Sequence, residues 1–146
     1  MSVRFKLDYR KFPAAPTEPF PRRKSVVRPV VPVALINGSN RVRVYALIDS
    51  GADYCVFHAE IGEQLGLQIE SGKSLPFSGI AGAGQTAYFH NIKLEVGGHE
   101  FGCYAGFSPD IQDLPYGILG QVGFFDVFKV SFDYKKEKIE LQSHDD

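Results

Sequence analysis

The sequence predicts a mostly β domain with little helix, and three observations carry this. Past residue 25 the apolar residues fall in short β-branched or alternating runs, the spacing of strands. Turn signals separate those runs, Asn37-Gly38 and Gly97-Gly98 among them. Only 57–67 combines helical spacing with a stop signal. A length of 146 residues and an apolar content of 44% suit one domain with a real core.

The chain divides at about residue 25. Residues 1–25 include "FPAAPTEPFPRRK", rich in proline and basic at its end, which cannot hold a helix or a central strand and reads as an extended N-terminal arm. Residues 26–146 form the domain. Its first run, "VVRPVVPVALI", is β-branched, but Pro29 and Pro32 confine it to an edge or a strand start. "NGSN" turns the chain, and "RVRVYALI" alternates on into Asp49. In "FHAEIGEQLGL", Ile61 and Leu65 stand four apart and Gly66 is placed to stop the helix. "AYFHNIKLEV", Gly97-Gly98 and "EFGCYAGF" read as a hairpin. "YGILG" is a short apolar run ending in glycine. "QVGFFDVF" is expected as a short helix, and "KVSFDYKKEKIEL" as a final hairpin turning at "YKKEK". No internal repeat occurs at solenoid periods.

Composition narrows the partners. Sixteen Lys and Arg against seventeen Asp and Glu give no reason to expect nucleic acid or an acidic membrane surface. No apolar run is long enough to span a bilayer, and "MSVRFKLDYRKF" lacks the apolar core of a secretory signal. Cys55 and Cys103 do not make a disulfide framework, so a cytoplasmic protein with reduced thiols is expected. His58, His90, His99 and the two cysteines are scattered singly, without paired zinc spacing, and no metal or other cofactor is expected. The twelve Phe and seven Tyr fit a core better than a ligand box.

The chemistry-bearing stretch is "YALIDSGADYC". Ala46, Leu47 and Ile48 read as a buried strand that runs directly into Asp49, where a carboxylate is costly to bury. Ser50-Gly51-Ala52 then turn the backbone before a second acid, Asp53. By themselves these residues also suit an Asp that caps the following helix or merely makes a turn. "FSGIAGAGQTAYF" is a glycine-rich tip between apolar and aromatic flanks. It is not a phosphate loop, since Gln85 stands where the lysine is needed, and it lacks the glycine order and βαβ setting of a dinucleotide fingerprint. A plain flexible loop is the alternative.

Taken together, the Asp49-Ser50-Gly51-Ala52 loop, the late "YGILG" and the glycine-rich stretch between them resemble the retropepsin-like aspartic proteases. The likeness covers roughly residues 26–142. It implies a closed β-barrel of the acid-protease half type, with a flap hairpin and one or two short helices. It implies Asp49 as the catalytic carboxylate, with Ser50, Gly51 and Ala52 supporting its loop. Ile118, Leu119 and Gly120 become the second signature, a strand packed beside the Asp strand in a psi-shaped core. Asp53 and the flap residues Gly79, Ile80, Ala81, Gly82, Ala83 and Gly84 would contact a peptide or protein substrate. The activity implied is aspartic endopeptidase, with one Asp49 from each chain of a homodimer, since one chain carries one Asp-Ser-Gly and is about half the length of a two-lobed protease. A non-catalytic peptide- or protein-binding module on the same fold is the alternative, and a structural assembly domain a third reading. One departure stands out: retroviral relatives carry Arg just after the second-signature glycine, paired to the acid at the Asp53 position, whereas Gln121 stands here. A neutral Gln offers that acid a hydrogen bond instead.

Overall fold

The computed structural model describes residues 2–79, 82–111 and 113–144. The strands, in chain order, are β1 (Arg4–Asp8), β2 (Arg10–Pro13), β3 (Ser25–Arg28), β4 (Val30–Asn37), β5 (Asn40–Ile48) and β6 (Val56–His58). Helix α1 (Ala59–Gln64) and a 3-10 turn at Ile69–Ser71 follow. Then come β7 (Lys73–Gly79), β8 (Gly82–Val96), β9 (His99–Ser108), β10 (Gly117–Leu119), β11 (Phe128–Asp133) and β12 (Lys138–Ser143).

Seven strands form one sheet in the order β4-β5-β10-β6-β9-β8-β7, and a further pairing of β4 with β8 closes it into a ring. The length of β8, 15 residues, makes the closure possible. Its later part pairs with β9 and, at Leu94, with Leu35 of β4, while its earlier part pairs with β7 in a hairpin. Pro32 is exposed and faces only β5, before the β4–β8 pairing begins at Ala34. A missing N–H therefore costs no ladder bond there.

The ring is filled by alternating strand residues, Val31, Val33 and Leu35 from β4 and Ala105 and Phe107 from β9 among them. Burying each large side chain of this kind is worth about 1.5–3 kcal/mol relative to exposure. A second sheet, β1-β12-β11, closes the base of this core with Ile139 and Leu141, both fully buried. The β2–β3 hairpin lies on the ring through two aromatic contacts. The guanidinium of Arg10 sits 4.0 Å from the Tyr45 ring centroid, and Phe12 meets Tyr116 edge-on at 5.9 Å.

The expected helix over 57–67 is present as α1, with the His58 ring accepting from the Glu60 N–H at its start. The second short helix, expected over "QVGFFDVF", does not form. Gly123 takes φ +109°, outside the helical region, and its N–H donates to the Asp126 carboxylate. The segment becomes a succession of turns that still buries Phe124 and Phe128.

Candidate active site

Asp49 follows β5 directly, and its position is set by how the ring is threaded. β10 pairs in parallel with β5, Leu119 opposite Ile48, and antiparallel with β6, Ile118 opposite Val56. The chain therefore leaves β5, passes over the place that β10 occupies, and enters β6 on the far side. Residues 49–55 form this psi-shaped crossing.

Backbone bonds fix the crossing from both sides. The Asp49 N–H donates to the Leu119 carbonyl at 2.9 Å, and the Gln121 and Val122 N–H groups donate to the carbonyls of Ala52 and Asp53 at 2.8 and 2.9 Å. Gly120 passes so near the loop that it has room for no side chain: a β-carbon there would stand 2.3 Å from the Tyr54 carbonyl oxygen. Within the loop, Oδ1 of Asp49 accepts the Gly51 N–H at 2.9 Å, so the acid braces its own turn. Its Oδ2 has no hydrogen-bond partner among the described residues. The turn thus occupies one oxygen of the carboxylate and leaves the other unpartnered among the described residues.

Asp49, Gly51, Ala52, Asp53 and Ile118 line one cleft of about 390 Å³. Ser50 is exposed, and its carbonyl accepts the Gln121 side-chain amide at 2.9 Å. Gln121 is thus tied to the active loop through Ser50, not through Asp53. The Asp53 carboxylate is exposed and has no hydrogen-bond or ion-pair partner among the described residues. Leu119 and Gly120 are buried behind the loop. Gly79, Gly82, Ala83 and Gly84 are strand residues of the β7–β8 hairpin, while Ile80 and Ala81 lie outside the described residues.

Sequence reasoning missed most of the cleft wall. Leu75, Pro76 and Phe77 of β7 line one part of it, and Ile111 and Leu114 another. Gln85, Ala87 and Phe89 line it from β8, all three buried where the residues between them are only half-buried. The stretch Gln85-Thr86-Ala87-Tyr88-Phe89 does not alternate apolar with polar residues, so no local pattern marked this face.

The two cysteines are buried together behind the crossing. The Cys103 thiol is pushed up from its ordinary value, first by its hydrogen bond with Cys55 and then by burial. No group of three or more His, Cys, Asp and Glu suited to a metal occurs among the described residues. No helix among them is long and apolar enough to cross a membrane.

A β ring whose psi-shaped centre presents an Asp-Ser-Gly loop beside a hairpin defines the acid-protease class of fold. The chain belongs to the aspartyl protease family, whose profile matches residues 31–122, more than half of its length. Among solved structures it is similar to a retropepsin-like aspartic protease from Rickettsia conorii, with a TM-score of 0.55 at 14% identity over 98% of this chain and 94% of that one. It is also similar to EIAV protease complexed with the inhibitor HBY-793, with a TM-score of 0.48 at 20% identity over 64% of this chain and 82% of that one. No curated protein matches the chain significantly. The fold is retropepsin-like, and family membership places the chain among the proteases.

Proposed function

We propose that the protein is an aspartic endopeptidase acting as a homodimer, with Asp49 of each chain in one shared site. The observation that carries this is the placement of Asp49. A strand end, a parallel neighbour and a self-bonded turn hold its carboxylate at the wall of a cleft, with Oδ2 left unpartnered among the described residues. The cleft mixes these acids with apolar side chains from β7 and β8, which suits an extended peptide.

The chemistry needs two carboxylates and a water. One ionised carboxylate takes a proton from the water as it attacks the scissile carbonyl, and the other, protonated, donates to the carbonyl oxygen. Two carboxyl groups this close do not readily ionise together, so they hold one proton between them, as aspartic proteases in general do. Asp53, exposed beside the cleft, takes the backbone of the bound peptide. Ser50 and Gln121 keep the loop in place, the Gln121 amide on the Ser50 carbonyl tying the loop to the end of β10. The β7–β8 hairpin, with its glycines 79, 82 and 84, acts as the flap.

The test is a digest of an unbiased peptide library by the wild-type protein beside Asp49→Asn. Cleavage by the first and none by the second is expected. Equal cleavage by both removes Asp49 from the chemistry; binding of peptides by both without any cleavage favours the non-catalytic binding module.

A further inference from the structure

Gln85 is the feature that the proposed chemistry leaves unused. It stands on β8 opposite Phe77 of β7, near the tip of the hairpin, and shares the cleft face of β8 with Ala87 and Phe89. Only 4% of the residue is exposed. Its side-chain carbonyl oxygen is buried and has no hydrogen-bond partner among the described residues. Leaving such an acceptor unpaired is destabilising, so an apolar residue of the same shape would serve the free protein better. A buried amide held at that cost on the wall of a binding cleft is matched to a donor that arrives with the ligand.

We propose that Gln85 is a specificity-determining residue, whose carboxamide oxygen accepts a hydrogen bond from a neutral N–H or O–H donor of the bound peptide. The inference rests on the peptide-binding reading of the cleft. The surroundings select the kind of donor. Phe77 and Ala87 line the cleft beside it, and the neutral amide has no charge to offset the desolvation of an ammonium or guanidinium, which the carboxylates of Asp49 and Asp53 in the same cleft would draw to themselves instead. A neutral donor loses far less on entering and recovers it in the bond. Three rotatable side-chain bonds let the amide swing toward the cleft axis as a ligand enters. A pocket built to bond a donor also discriminates against the analogue that lacks one, because the acceptor is then left unpaired again.

The donor belongs to a side chain or to the peptide backbone, and two experimental arms separate these. In the first, paired peptides differ by one donor at each position, Thr against Val and Tyr against Phe. In the second, single backbone amides are replaced by esters. Binding to the Asp49→Asn protein and cleavage by the wild type are both measured, and each is repeated with Gln85→Met and Gln85→Leu. At one position a preference of about three- to tenfold for the donor-bearing peptide is expected, the factor worth one net hydrogen bond. It should fall to near unity in both Gln85 variants, with their thermal stability equal to or above that of the parent protein. A purely structural Gln85 predicts instead a loss of stability with the preferences untouched. If neither arm distinguishes the Gln85 variants from their parent while peptides are still bound or cut, the inference fails and the protease reading stands. If no peptide is bound or cut at all, both fall together.

Discussion

A β-carbon built on Gly120 would lie 2.3 Å from the carbonyl oxygen of Tyr54 and 2.7 Å from that of Ala52. Both neighbours are backbone, in a loop already bonded on two sides, so neither can yield cheaply. At Gly117, three residues earlier, the three nearest atoms all belong to the Phe57 ring, the first at 2.4 Å. Gly120→Ala should therefore cost more than Gly117→Ala, about 3 kcal/mol, at the upper end of what overpacking costs. Urea unfolding of the two variants measures this, and equal midpoints would contradict the close approach. Asp49→Asn makes the complementary case. Asparagine keeps the side-chain oxygen that accepts the Gly51 N–H, so the turn and the fold should survive, with unfolding midpoints close to wild type. Turnover should fall at least about a hundredfold, because an amide can neither take nor share the proton. The thiols behind the loop carry a further expectation. Both are buried, Cys55 wholly and Cys103 with 4% exposed, so a reagent in solution reaches neither sulfur in the folded chain. Iodoacetamide should label neither cysteine in the native protein and both after unfolding, as mass spectrometry would count.

At the scale of elements, the β7–β8 hairpin is where backbone conformation bears on the proposed function. Gly84 takes φ +86°, with no atom within 4 Å of a β-carbon placed there. Space is free and conformation is not, so a β-branched residue strains the backbone without clashing. Replacing Gly82 and Gly84 together by valine should cost about 1–2 kcal/mol of stability. It should also lower kcat and raise KM several-fold by hindering closure over a peptide. Unchanged steady-state kinetics would make the hairpin an ordinary loop. The elements also differ in how far the sequence disclosed them. The Asp49 strand, "YGILG", α1 and the hairpin at Gly97-Gly98 were legible because each is specified within a dozen residues by apolar spacing and a turn signal. The helix expected over "QVGFFDVF" was misread for the same local reason. Phe124 and Phe128 stand four apart, as on a helix face, but both are held by core contacts while Gly123 turns the chain out of helical geometry. The cleft wall was not legible at all. Leu75–Phe77 and the pair Ile111 and Leu114 meet Asp49 only after β4 and β8 close the ring, a pairing between residues some sixty apart for which no local pattern speaks. Gln121 lies between these cases: its nearness to the loop was readable, its choice of Ser50 over Asp53 was not.

For the whole molecule the question is where a second carboxylate comes from. One ring presents one Asp49, and the other acid in its cleft, Asp53, is the residue proposed to hold the peptide backbone. Two identical loops can face each other only across a twofold axis, so on the proposed mechanism the assembly that completes the chemistry would be a symmetric pair with one cleft for two chains. Ser50 and Val122 are both exposed beside the crossing. The base sheet constrains the rest of the contact. β12 is flanked by β1 and β11, so among the described strands of that sheet the open edges belong to β1 and β11, and a partner strand would add there and not at β12. A site shared in this way makes activity a property of the pair. Activity per chain should fall on dilution through the dimer dissociation constant, in step with the loss of dimer in sedimentation. Mixing provides the sharper measurement. When wild type exchanges with a roughly ninefold excess of Asp49→Asn, most wild-type chains sit in pairs with one amide, and activity per wild-type chain should drop to about a tenth. An inert protein added in the same excess should change nothing. Full activity at nanomolar concentration from a species that sediments as a monomer would overturn the shared site, and with it the two-carboxylate mechanism.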